Sequence, residues 1–168
     1  MTLPLVVLDG PPPELPRCLW QRTVPSRPEL KLELIEHITT VLIDHGLLTE
    51  EDGPWLTMCL DEAIVNGMLH GNEADETVPL QVHVGVQESG AQRRWLIRID
   101  DQGAGFAPTD VPDQEDADSL LLEHGRGIRL MREWLDELRY YRHGATIIMG
   151  RDTHEKRTCG PSAAGHPA

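Results

Sequence analysis

The apolar positions change period along the chain, and the changes mark the elements. "RCLWQRTV" predicts a first strand. Ser26 opens a capping-box pattern with Glu29 three residues on. Leu30, Leu34, Ile38, Val41 and Leu42 then keep helical spacing up to the "DHG" stop at Asp44 to Gly46. A second helix start at Thr49 leads to a helix reaching about Gly71. "PLQVHVGVQ" alternates, with Val82, Val84 and Val86 on one face. "RRWLIRID" returns in phase through Trp95, Ile97 and Ile99. After "DQGAGF" comes an acidic loop from Ala107 to about Glu123. "HGRGIRLMREWLDEL" enters a third helix, with Ile128, Met131, Trp134 or Leu135, and Leu138 inward. "RYYRH" and "ATIIMGR" read as a closing hairpin around Gly144.

This order of strand, two helices, two strands, loop, helix and two strands predicts an α/β two-layer sandwich. The helices would lie on one face of the sheet. Gln81, His83 and Gln87 would lie on the other, solvated or docking a partner. Residues 1–16, rich in proline, read as a disordered arm, and 153–168 as a disordered tail around a domain at 17–152.

Length, 168 residues, fits one domain. The net charge of −13 disfavours nucleic acid and anionic membrane surfaces as partners. No apolar run approaches the roughly 20 residues of a membrane span. The opening residues lack the basic start of a signal peptide, so a cytoplasmic location is expected. Cys18, Cys59 and Cys159 form no CxxC pair, and Cys59 reads as a small buried hydrophobe.

"LDEAIVNGMLHGN" (60–72) is an unusual helix, because polar groups share its surface with core residues. Glu62 and Asn66 are four apart, as are Asn66 and His70, which places them on one face. An Asn oxygen suits Mg²⁺, which keeps waters and shares substrate phosphates. A carboxylate one turn away suits proton abstraction from a hydroxyl or water. Gly67 costs about 1 kcal/mol against Ala in a helix interior, so a close neighbour or ligand is expected there. On this helix alone, an edge with a few satisfied polar groups is the simpler reading. His70 and His124, beside glycines and without HxxxH spacing, read as loop or capping residues rather than zinc ligands.

"IDDQGAGF" adds a second group. Alternation turns Asp101 towards the helix layer and Asp100 outward. An inward carboxylate needs a donor, and the exocyclic amine of adenine is one. Gly103 and Gly105 allow close approach of backbone and ligand. In "HGRGI", Gly125 and Gly127 stand where a loop enters a helix, which favours phosphate. Arg126 would add charge there. A flexible hinge into an amphipathic helix is the plain alternative. The P-loop pattern is absent.

These three pieces, in this order, resemble the GHKL (Bergerat-fold) ATP-binding superfamily. "DEAIVNGMLHGN" looks like its N box, and "DQGAGF" and "HGRGI" like its two glycine boxes. The match is closest to the small anti-sigma factor serine/threonine kinases, which share a "TVPSRPE"-like entry and an "LMREWLDEL"-like helix. It covers about residues 17–152. The resemblance implies a histidine kinase-like fold with a mixed, mainly antiparallel sheet. It implies ATP and magnesium as cofactors, Glu62 as general base, and Asn66 as the magnesium-chelating residue. Asp101 matches the adenine acid. Gly103, Gly105, Gly125, Arg126 and Gly127 match phosphate and lid contacts, and Thr146 an adenine-supporting position. The implied partners are an anti-anti-sigma (STAS-like) substrate, a sigma factor and a second copy in a homodimer.

The chain departs from that pattern at Gly67, where the family often has Ala. It departs again in the loop carrying Asp110, Asp113, Glu115, Asp116, Asp118 and Glu123, which disfavours a nearby triphosphate unless metal or Arg126 offsets it. Two rivals stand beside the kinase reading. One is a module of the same fold that holds nucleotide or a partner without phosphoryl transfer. The other is a histidine kinase catalytic domain, which needs an upstream helix pair carrying the acceptor His.

Overall fold

A computed structural model describes residues 2–105 and 125–153. Five strands form one sheet in the order β1-β2-β3-β5-β4. They are β1 (Cys18–Pro25), β2 (Pro79–Ser89), β3 (Gln92–Asp100), β4 (Glu137–Tyr141) and β5 (Thr146–Asp152). Every neighbouring pair is antiparallel, and a parallel bridge, Val7 to Tyr140, lies outside the named strands. Among the described residues the α-helices are α1 (Lys31–Asp44), α2 (Gly53–Val65) and α3 (Gly125–Trp134).

The period-2 reading of β2 and β3 holds. Val82, Val84 and Val86 pair with Ile99, Ile97 and Trp95, and all six are buried in the core shared with the helices. α1 contributes Leu34, Ile35, Ile38 and Leu42 to that core, and α2 contributes Leu56, Cys59, Leu60, Ala63 and Ile64. Burial pushes the Cys59 thiol up to about 12, so it stays a neutral apolar filler. α3 buries Ile128 and Met131. Its end is held where Trp134 tilts against Trp95 at 6.1 Å and takes the Arg151 guanidinium over its ring at 4.4 Å.

Four expectations change. α3 stops at Trp134, and Leu138 belongs to β4, where it alternates with buried Tyr140. α2 ends at Val65, and Asn66–Gly71 form a π-turn, with the Asn72 N–H reaching the Gly67 carbonyl at 2.8 Å. Ser26 caps no helix. A 3₁₀ turn with Pro28 near its start begins after Arg27, and Ser26 is fully buried at the strand end. Its hydroxyl donates to the Val78 carbonyl at 2.7 Å.

The fourth change concerns the arm. Its backbone bonds to β4, with Tyr140 N–H donating to Val6 and Leu8 N–H donating to Tyr140, each at 2.9 Å. Leu3, Leu5 and Val7 pack against the core. Leu15 then covers Leu96, Tyr141 and Ile148 on the face away from the helices, crossing at Gly85. The prolines shape a docked strap rather than a loose end, because apolar residues between them find apolar surface. That face, expected to be open, is partly covered, and elsewhere it carries ion pairs such as Arg94 with Asp152 at 2.7 Å.

Asn72 ties these parts together. Its amide donates to Ser26 Oγ at 2.9 Å and to the Pro79 carbonyl at 3.2 Å, and its oxygen accepts the Gln102 N–H at 2.7 Å. The side chain is buried and its bonds join four segments. Asn72→Ala would leave those groups without a partner, at about 1–3 kcal/mol for each that water cannot reach. The expected loss of stability is about 3 kcal/mol in urea titration. A loss under about 1 kcal/mol would show that the clasp is not needed.

Candidate active site

Glu62 and Asn66 occupy successive turns where α2 gives way to the π-turn. Asn66 Nδ2 donates to Glu62 Oε1 at 3.0 Å. The amide nitrogen is thereby engaged, and the amide oxygen is the atom left to act as a metal ligand. π-turns inside helices are frequent at functional sites. Here the turn also displaces His70 from a strict four-residue stack on Asn66, and His70 is exposed.

α3 meets α2 at this point. A Cβ on Gly127 would overlap Glu62 Cγ and Cδ, so only glycine lets the helix entry lie against the carboxylate-bearing side chain. The backbone of Gly125–Gly127 opens α3, and its N–H groups form a start that suits phosphate. The Arg126 side chain, His124 and the acidic loop lie outside the described residues. Beneath Glu62 lies Tyr140, whose phenol is pushed up by burial and then by the Glu62 charge.

Asp101 faces this layer, as alternation predicts. Its carboxyl sits where a Cβ of Gly71 would be, and its Cβ lies 3.8 Å from the Cβ position of Gly67. Gly103 is pressed against the Gly71 backbone in turn. Leu80 Cδ1 would stand 2.7 Å from a Cβ on Gly67, so a close neighbour explains that residue too. Asp101 Oδ1 accepts the Gly103 N–H at 2.7 Å. Burial raises the Asp101 pKa to about 6, against the lowering effects of that bond and of Arg142, and Asp100 raises it further. A half-desolvated carboxylate with one backbone donor has the capacity to accept a further N–H donor.

Asp100 turns outward, as alternation predicts. It lies on the face away from the helices, yet it is 1% exposed. Arg98 Nε donates to it at 2.8 Å and Thr146 Oγ1 at 2.6 Å, with His83 Nε2 at 3.8 Å. Thr146 is therefore a partner of Asp100 across the sheet, and its hydroxyl also accepts from Arg142 Nη1 at 3.3 Å. Burial and the Arg98 charge lower the His83 pKa, with Asp100 opposing. Sequence reasoning also missed Gly71, Asn72 and Arg142. The first two stand inside the quoted motif and were visible as a small and an amide residue at its end. Arg142 had no local signal, since its Nη2 reaches the Asp101 carbonyl, at 3.1 Å, only through the fold.

The site thus joins an acid–amide pair, a glycine-led helix start and a buried carboxylate framed by glycines. A family model for the histidine kinase-like ATPase domain matches residues 24–151, the greater part of the chain. The chain belongs to that family. A search of curated proteins gives no match. The five-stranded antiparallel sheet with helices against it is the Bergerat fold of this ATPase domain. ATP binding is the property the family brings. Among the described residues, no helix is long and apolar enough to cross a membrane.

The two adjacent acids of the ATPase domain separate by experiment. Asp101 has a raised folded pKa, so its stabilising contribution is full below about 3.8 and is lost as pH rises to about 6. Asp101→Asn would therefore stabilise the nucleotide-free protein at pH 8, by about 1–3 kcal/mol, and the gain would shrink towards pH 5. The same variant would bind ADP more weakly. Asp100→Ala would instead cost about 3 kcal/mol or more, because it strands the Arg98 charge on a covered face. Urea titrations at both pH values, with ADP calorimetry, check all three signs. A stability gain that is equal at pH 8 and pH 5 would contradict the assignment of the titrating group.

Proposed function

We propose that this ATPase domain is an ATP- and Mg²⁺-dependent protein serine/threonine kinase of the anti-sigma factor type. The supporting observation is the Asn66–Glu62 pair, facing the glycine-led start of α3 within the layer that also holds Asp101. Asp101 would accept the adenine amine. Gly103 and Gly105 let the ligand approach backbone closely, and the N–H groups at Gly125–Gly127 would take phosphate oxygens. Arg126 would add charge to them.

The donor set fits magnesium. Among the described residues no three His, Cys, Asp or Glu side chains gather as a metal cage. A single amide oxygen on Asn66 suits an ion that takes its other ligands from phosphates and water. Bound there with the nucleotide, Mg²⁺ would neutralise phosphate charge during transfer. Glu62 would take the proton from the acceptor hydroxyl, and Asn66 orients Glu62 through the bond to Oε1. The acceptor would be a serine or threonine of a small STAS-like anti-anti-sigma protein. A sigma factor would be the sequestered partner, a homodimer the assembly and the cytoplasm the location.

One observation favours the partner-switching module without phosphoryl transfer. The α3 start packs directly on Glu62, so in this arrangement one side of the carboxylate is covered. The two readings part in a transfer assay. Glu62→Gln is nearly isosteric, so ADP affinity should stay within a few-fold, while transfer of labelled phosphate to a candidate STAS protein should fall about 10²–10⁴-fold. Asn66→Ala should lose both affinity in magnesium and transfer. Full transfer by Glu62→Gln would remove the base assignment. Nucleotide binding by the parent with no transfer to any candidate acceptor would establish the module instead.

A further inference from the structure

The β4–β5 turn is strained, and the strain is held from outside the turn. Arg142 has φ 51° and His143 φ 57°, with Gly144 following at φ 100°. Residues with a Cβ rarely take this left-handed backbone, and two in succession persist only where their surroundings fix them. Their own backbone N–H groups are both held by the amino-terminal segment. The Arg142 N–H donates to the Gly10 carbonyl at 3.0 Å and the His143 N–H to the Leu8 carbonyl at 3.2 Å. His143 Nδ1 lies 3.0 Å from Asp9 Oδ1.

The other side of the same turn touches the candidate nucleotide site. A Cβ on Gly105 would overlap the His143 carbonyl, so the glycine loop rests on the turn. Arg142 Nη2 donates to the Asp101 carbonyl at 3.1 Å, and the Asp101 N–H donates to Ala145 at 2.9 Å. One side of the turn therefore holds Leu8–Gly10, and the other holds Asp101 and Gly105.

We propose that Leu8–Gly10 is a positioning segment of the nucleotide site, which sets Asp101 and Gly105 by clamping Arg142 and His143 in left-handed backbone. The proposal rests on the reading of Asp101 as the nucleotide acid. Leu8, Asp9 and His143 are exposed, so this contact buries little apolar surface. What it supplies is geometry, which a stability measurement alone would underreport. Binding linkage makes the coupling reciprocal: if the segment helps nucleotide bind, nucleotide must tighten the segment.

Amide hydrogen exchange on the full chain, with and without saturating ADP, tests it. ADP should slow exchange at Leu8, Arg142 and His143 as well as at Asp101 and Gly103. Leu8→Pro, which removes the N–H bonded to Tyr140, should weaken ADP binding about ten-fold, with a much smaller change in urea midpoint. Should that variant not fold, Asp9→Ala takes its place, with about a three-fold loss expected. Slowing confined to Asp101 and Gly103, or parental ADP affinity in the folded variant, would overturn the proposal. If the parent binds no ADP, the nucleotide reading fails separately. The clamp is then judged without ligand: faster exchange at Asp101 and Gly103 in the variant supports it, and unchanged exchange overturns it.

Discussion

The structure depends on one backbone crossing. The loop after β3 lies so close to the end of the π-turn that a Cβ on Gly103 would meet the Gly71 backbone, and a Cβ on Gly71 would meet the Asp101 carboxyl. This contact brings the helix bearing Glu62 and Asn66 to the strand end bearing Asp101. It also leaves polar backbone groups in a covered place, and such groups must be paired. Asn72 meets that demand by bonding to Gln102, Pro79 and Ser26 at once. The glycines allow the approach, and the amide keeps it from leaving buried groups unpaired.

With the crossing in place, the two acids at the end of β3 acquire opposite characters. Asp100 sits on the far face, where Arg98 and Thr146 compensate its burial with donors. Asp101 faces the helices with one backbone donor, and burial dominates its titration. Two chemically identical neighbours differ because one has partners within the protein and the other is short of them. A buried group short of partners is destabilising by itself, and it becomes useful when a ligand brings the missing donor.

The strand pattern was legible because alternation depends on local geometry: the phase of Val82, Val84, Val86, Trp95, Ile97 and Ile99 fixed which face met the helices. The same rule turned Asp101 inward. It turned Asp100 outward as well, but its burial there was not legible, because period 2 tells which face a residue lies on and not what covers that face. The Arg98 partner is adjacent on the strand, whereas Thr146 arrives from β5. Capping logic failed at Ser26 for a similar reason. Its hydroxyl had a second use, bonding to Val78 and Asn72, that only tertiary contact reveals. The π-turn was also hidden, since one extra residue in a helical repeat leaves the apolar spacing nearly intact.

The amino-terminal segment shows how composition can mislead in the opposite direction. Proline marks the places where the chain cannot join a ladder, and a proline-rich stretch reads as loose. Between Pro4 and Pro11, however, stand Leu5, Val6, Val7 and Leu8, a short apolar run with free backbone donors and acceptors. β4 would otherwise present an unpaired edge, which invites pairing with any available strand. The chain supplies that strand itself, through Val6 and Leu8 on either side of Tyr140. The edge is thereby closed beside the turn that supports Asp101. Closure of the edge and contact with the turn beside Asp101 thus come from adjoining backbone bonds of one short segment, through Val6 and Leu8 to Tyr140 and through Leu8 and Gly10 to His143 and Arg142. If the proposed clamp operates, a change in Leu8–Gly10, more than 90 residues away in sequence from Asp101, would alter the site without touching any residue that lines it.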